Sequence, residues 1–206
     1  MEHLHYKLYK PFGMLSQLDS NDAKQRRKKR FLTELHDFPD GIMPIGRLDE
    51  KSEGLLLMTT NGKISYAINR SGVEKEYYAQ LDGEISDEAI ALLSNGVEIG
   101  LEGTTYATRP CLAKRLAANP QLPEPNATLR LGRHRPMSWI SITLTEGKFR
   151  QVRKMTAAVG FPTLRLVRVR VGTIGLGDLA PGEVSELPKA DMERYVGNAF
   201  CTCSIS

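Results

Sequence analysis

Gly46-Arg47-Leu48-Asp49 places a carboxylate close to a guanidinium on a glycine-containing stretch between apolar segments. An aspartate on such a loop can project into a cleft without being committed to a strand ladder. Arg47 can supply positive charge, or a planar group that stacks where a base has been removed. Taken alone, these four residues fit a surface turn with a local ion pair better. A second constellation is Glu146-Gly147-Lys148-Phe149-Arg150-Gln151-Val152-Arg153-Lys154. A glycine at a strand-to-helix junction lets the backbone approach phosphate closely, and the free N–H groups of the helix N-terminus favour anions. Arg153, one turn into that helix, can hold a carboxylate in bidentate geometry. The simpler alternative is a solvated basic face, which leaves unexplained why charge gathers there without an acidic counterpart. In Lys75-Glu76-Tyr77 the tyrosine can stack on a base, worth about 1–3 kcal/mol, although strand tyrosines more often serve cross-strand packing.

The elements that must position these residues follow from periodicity. His5–Ser16 fits a strand entering a Lys10-Pro11-Phe12-Gly13 turn. A polar, basic stretch runs to Arg30, Gly41–Ile45 leads into the Asp49 loop, and Leu55–Thr60 is a compact apolar strand. Asn61-Gly62 breaks it, and Ile64, Ala67 and Ile68 then recur at helical spacing. Lys75–Leu81 reads as a strand. Ser86-Asp87-Glu88 starts a helix that buries Ile90 and Leu93 and stops at Gly96. Pro120–Pro125 is a proline-rich connector that does not separate independent domains. Trp139–Thr145 alternates Ile140, Ile142 and Leu144 with Ser141, Thr143 and Thr145, the pattern of a half-exposed strand. A helix is expected over Phe149–Val159, with Val152, Met155 and Val159 as its apolar stripe and Arg150, Arg153 and Lys154 on the other side. Gly160 and Pro162 end it. Leu164–Val171 returns as a strand whose alternation slips between Leu166 and Val167, as at a bulge. Strands outnumber helices in mixed order, so the expected class is α+β with a largely antiparallel sheet.

At 206 residues, with 41% hydrophobic and 25% charged residues, the chain can form one substantial core or two small lobes sharing a sheet. The net charge of +4 is only mildly basic, but its distribution is uneven. Lys24–Arg30 carries six basic residues in seven positions, and Glu146–Arg170 has seven Lys or Arg against one acid. Concentrated cationic patches suit a polyphosphate partner, because each neutralised phosphate releases condensed counterions. For Lys24–Arg30 a solvated loop is the equal alternative. Lys24, Arg26 and Arg27, with Lys148, Arg150 and Lys154, are the candidate phosphate contacts. Cys111, Cys201 and Cys203 are too few and too poorly spaced for a disulfide framework or a metal site, and His3 and His5 fit surface residues better than ligands. No apolar run approaches the ~20 residues of a membrane span, and no signal-like segment follows the N-terminus. A reduced, cytoplasmic setting without membrane association is expected. Gly172-x-x-Gly175-x-Gly177 lacks the helix start and downstream acid of a dinucleotide site, so no nucleotide cofactor is expected.

Gly46-Arg47-Leu48-Asp49-Glu50-Lys51-Ser52-Glu53-Gly54-Leu55-Leu56-Leu57, Lys75-Glu76-Tyr77 and the run from Glu146 to Met155 resemble, in order and spacing, the three motifs of the RsuA branch of the RNA pseudouridine synthases. The runs 157–166 and 179–183 extend the resemblance, which reaches from Lys10-Pro11-Phe12-Gly13 to about Leu187. It implies a mixed, mostly antiparallel sheet flanked by helices with a cleft between two lobes. It implies one catalytic domain over residues 1–190, followed by a tail at 191–206. The implied activity is isomerisation of a ribosomal RNA uridine to pseudouridine, with no cofactor and no metal. Residue by residue, Asp49 matches the family's catalytic aspartate and Tyr77 the tyrosine that packs on the target base. Arg153 matches the arginine that pairs with the aspartate, and Arg47 the residue that occupies the gap left by the extruded nucleotide. Many members of the branch begin with an S4-type RNA-binding domain. The lack of room for one before Lys10, with Phe161-Pro162-Thr163-Leu164, points to large-subunit ribosomal RNA as the partner. The Lys24–Arg30 run and the Phe200–Ser206 tail depart from the family pattern and imply an altered RNA footprint. A monomer is expected. Two alternatives compete: a non-catalytic RNA-binding or ribosome-assembly factor, which predicts erosion at Asp49, Tyr77 or Arg153, and a sibling enzyme acting on small-subunit RNA.

Overall fold

The computed structural model describes residues 2–70, 72–129, 131 and 135–199. In chain order the elements are β1 (His5–Lys10), α1 (Ala23–Lys28), a 3-10 turn (Leu32–Glu34), β2 (Met43–Ile45), β3 (Glu53–Thr59), α2 (Gly62–Arg70), β4 (Lys75–Asp82), α3 (Asp87–Asn95), β5 (Glu98–Leu101), β6 (Thr104–Ala107), β7 (Leu112–Arg115), β8 (Met137–Leu144), α4 (Gln151–Ala158), β9 (Thr163–Val171), β10 (Ile174–Gly175), β11 (Val184–Glu186) and α5 (Lys189–Ala199). The chain divides into two units, Met1–Val73 with Val171–Ser206, and Glu74–Arg170. Strands dominate and the ladders of known register are antiparallel, which is the α+β class expected.

In the first unit β1 lies between β11 and β3, with Leu8 opposite both Val184 and Leu56, and β2 also pairs β3. All seven residues of β3 are buried. A strand buried on both faces reads as a continuous apolar run rather than an alternating one, as Leu55–Met58 does. Tyr6, Leu8, Met14, Leu32, Ile42, Leu56 and Met58 form a core beneath it. The Asn61 carboxamide caps α2 by accepting from the N–H groups of Lys63 and Ile64, and Ile64, Ala67 and Ile68 are its buried face, as their spacing implied. The tail set apart from residue 191 begins inside α5, whose Met192 and Tyr195 are buried. Phe200–Ser206 lies outside the described residues.

In the second unit β9, β4, β8 and β7 are neighbours in that order, and β5 and β6 form a separate hairpin. The Ser86 hydroxyl caps α3 by accepting from the Ala89 N–H. The helix stops at Gly96, where φ is +93° and a Cβ would collide with the Thr108 carbonyl. Ala89 and Leu93, four residues apart, are its buried pair, and Ile90 is only half-buried.

Further expectations need correction, among them His5, which is buried rather than at the surface, with its ring Nδ1 2.8 Å from the Thr59 hydroxyl. β8 is not half-exposed: Ser141 and Thr143 are buried, because the strand lies between β4 and β7 and the Ser141 hydroxyl donates to Glu76 at 2.8 Å. The apparent slip in β9 is two-sided burial within one nine-residue strand, with Arg165, Leu166, Val167 and Arg168 all buried. The helix of the third motif, α4, starts at Gln151, so Phe149 and Arg150 belong to the turn before it.

Candidate active site

Asp49 sits half-buried on the loop between β2 and β3, preceded by the exposed Arg47 and the buried Leu48. The loop is held by its backbone. The Ser16 hydroxyl donates to the Leu48 carbonyl and accepts from the Leu48 N–H, each at 2.9 Å. The Gly13 N–H donates to the Glu50 carbonyl at 2.8 Å, and the Ser52 N–H closes the turn on the Asp49 carbonyl at 3.0 Å. Lys10, fully buried, directs its ammonium at the carbonyls of Met14 (2.7 Å), Pro11 (2.9 Å) and Glu50 (3.4 Å). The Lys10-Pro11-Phe12-Gly13 turn is thereby stitched to the residues around Asp49. Gly46 opens the loop at φ +69°, and a Cβ there would lie 3.0 Å from the Asn69 carboxamide oxygen. Only glycine meets both conditions without strain.

The basic run beside this loop is more ordered than a solvated stretch. Asp22 caps α1 by accepting from the Lys24 and Gln25 N–H groups, and Arg26 to Lys28 occupy its last turn, where cations favour the helix dipole. Arg26 pairs with Asp19, Arg30 with Glu34, and Lys29 with Glu50 at 2.8 Å, next to Asp49 in sequence. Among the described residues, Lys24, Arg27 and Lys28 have no acidic partner.

In the second unit Tyr77 is 9% exposed on β4, opposite Ile142. Glu76, next to it in the motif, points to the other face. There Glu76 accepts from Ser141 and pairs with Arg170 at 2.9 Å. Burial works to raise the Glu76 carboxyl, but the hydrogen bonds from Arg170 and Ser141, with the Arg170 and Lys114 charges, hold it below its ordinary value. Burial, with the nearby Arg168 charge, lowers the Lys75 ammonium to about 8. Arg153, half-buried on α4, donates to the Thr163 carbonyl at 3.1 Å.

The third motif is organised by its one acid. The Glu146 carboxylate accepts from the Tyr106 hydroxyl (2.6 Å), the Arg109 N–H (3.0 Å) and the Gln151 carboxamide (2.5 Å). Gln151 in turn accepts from the Lys148 N–H at 2.9 Å. Burial works to raise the Glu146 carboxyl, but these hydrogen bonds and the Arg109 charge outweigh it and hold it low. The turn so fixed carries Arg150 in the left-handed region at φ +54°, which costs a non-glycine residue roughly 1–2 kcal/mol. Of the three cations assigned here to phosphate, Arg150 is exposed, Lys148 lies over the Tyr106 ring at 4.7 Å, and Lys154 donates to the Gly100 carbonyl at 2.7 Å. The acidic counterpart to the basic cluster is therefore Glu146, already engaged by Tyr106, Arg109 and Gln151. Sequence reasoning missed Ser16, Lys10 and Glu146 as supports. Lys10 and Glu146 lie within the motifs that carried the resemblance, whereas nothing local marks Ser16.

The model of the RNA pseudouridylate synthase family matches residues 5–158. The chain is 38% identical over 178 residues to the ribosomal large subunit pseudouridine synthase E of Xanthomonas campestris pv. campestris, covering 85% of this chain and 91% of that one. It is 37% identical over 180 residues to the synthase of the same name from Vibrio parahaemolyticus, covering 86% and 71%. A crystal structure of a pseudouridylate synthase matches with a TM-score of 0.73 at 25% identity, over 94% of this chain and 74% of that chain. With its three motifs in order and its antiparallel ladders in place, this chain belongs to the RNA pseudouridylate synthase family.

Proposed function

We propose that the chain converts one uridine of large-subunit ribosomal RNA to pseudouridine, with Asp49 as the catalytic carboxylate. Uridine and pseudouridine are isomers: the C1′–N1 bond breaks, C1′ joins C5, and the hydrogen on C5 is replaced by one on N1. The atom balance calls for no oxidant, reductant or group donor. A uridine inside a stacked or paired strand must first be flipped out, at a cost of a few kcal/mol. Arg47, exposed beside Asp49, fills the gap that it leaves. Tyr77 packs on the flipped base and retains the detached uracil while it turns. Arg153 is the arginine of the third motif that the family pattern assigns to substrate binding. Arg150, Lys148 and Lys154, together with Lys24 and Arg27, carry the phosphate contacts, and Arg26 joins them on leaving Asp19. The enzyme acts in the cytoplasm as a monomer.

The observation that supports this reading most is the fixed loop. Catalytic groups work best when pre-positioned, and the backbone on both sides of Asp49 is tied down by Ser16, Gly13 and Lys10. The test is Asp49→Asn assayed on large-subunit ribosomal RNA. Pseudouridine formation should fall to background while RNA affinity stays close to that of the parent. Turnover retained by the variant would remove Asp49 from the mechanism.

A further inference from the structure

Phe149 stands 65% exposed on the turn between Glu146 and α4. A single exposed apolar side chain is ordinary, but this one stands in unusual company. Its backbone is held by the Glu146–Gln151–Lys148 hydrogen bonds and is followed by Arg150 in the left-handed conformation. Strain of that kind persists only where the surroundings over-determine it. A ring with two side-chain torsions on such a turn has little freedom left to lose when it stacks. The Lys154 ammonium lies over the ring at 5.2 Å, and the Lys148 ammonium over Tyr106 at 4.7 Å. The Arg109 side chain is exposed and reaches Glu146 only at 4.0 Å. Glu146, the one acid of the motif, already accepts three hydrogen bonds from within this unit. An aromatic ring set among cations whose acid is already engaged is what an unpaired nucleic acid strand needs: rings for the bases, charge for the phosphates.

We propose that Phe149 is a stacking platform for an unpaired base of the RNA substrate, with Arg109 holding an adjacent phosphate. The inference rests on the reading of the chain as an RNA-modifying enzyme and adds a binding site to it. Loss of one base–aromatic stack corresponds to about 5- to 150-fold in affinity.

Phe149→Ala, Phe149→Leu and Phe149→Trp are compared with the parent protein in two assays. One is pseudouridine formation in deproteinised large-subunit ribosomal RNA, and the other is binding of a single-stranded oligouridylate across a salt series. Phe149→Ala should raise KM by about 5- to 150-fold, with the loss carried by KM rather than kcat and with an unchanged salt slope, because stacking releases no counterions. Phe149→Trp should restore KM, and its emission should be quenched by the oligonucleotide. The single native tryptophan, Trp139, is buried in β8 and supplies a constant background. A parental KM in Phe149→Ala, an unquenched Phe149→Trp, or a leucine that rescues as well as tryptophan would each overturn the proposal. If the parent protein itself makes no pseudouridine in this RNA, it is the functional reading that fails, and the oligouridylate quench still decides the stacking site.

Discussion

Ser16 makes no contact that chemistry requires, yet it exchanges two hydrogen bonds with the residue before Asp49. Ser16→Ala leaves the Leu48 N–H and carbonyl buried without that partner, and each orphaned group costs about 1–3 kcal/mol. Urea denaturation should show the loss, and kcat should fall more than KM rises, since the carboxylate is displaced while the phosphate contacts remain. Glu146 plays the same part for the third motif. Its folded carboxyl is held below the ordinary value of 4.5. The stability it contributes is therefore present above that value and is lost as pH falls through the depressed folded one. Glu146→Gln should be less stable than the parent at pH 7, and the gap should narrow in urea titrations taken at successively lower pH below 4.5. A gap independent of pH would show that the carboxylate charge is not what holds the turn.

At the scale of elements, α1 shows how a charge run acquires structure. Six residues are too few for a stable isolated helix. This one persists through its Asp22 cap, the Arg26–Asp19 pair and the hydrogen bond from the Leu15 N–H to the Arg30 carbonyl. Those anchors divide the basic residues into two groups. Arg26, Lys29 and Arg30 pair with local acids, whereas Lys24, Arg27 and Lys28 have no acidic partner among the described residues. Replacing Lys24, Arg27 and Lys28 together by Gln should flatten the slope of log K against log salt by about 2–3 for RNA, at about 0.7–0.9 per lost contact. Arg26→Gln alone should change it less, because that side chain must first leave Asp19. An unchanged slope in the triple variant would leave α1 outside the RNA footprint.

At the scale of the molecule, the prediction concerns RNA. Pseudouridine mapping of ribosomal RNA from a strain lacking this protein should show one large-subunit position reverting to uridine, restored by the parent gene and not by the Asp49→Asn variant. A small-subunit position reverting instead would reassign the substrate. The family and the order of its motifs were legible in the sequence, because a short motif such as Gly46-Arg47-Leu48-Asp49 carries its spacing wherever the chain folds. The start of α2 and both ends of α3 were legible too, since Asn61 and Ser86 accept from N–H groups, and the Gly96 N–H closes on the Leu93 carbonyl, within a few residues. Burial of polar side chains was not. Ser141 and Thr143 look exposed by alternation, and Lys10 and Arg165 look exposed by charge, yet all four are buried. The partners of Ser141 and Arg165 are Glu76 and the Pro123 carbonyl, 65 and 42 residues away. Lys10 draws part of its coordination from Glu50, 40 residues on. Local pattern determines which segments form helices and strands, because that choice is made by neighbours in sequence. Which polar groups can afford to leave water is decided only when the tertiary structure brings them a partner.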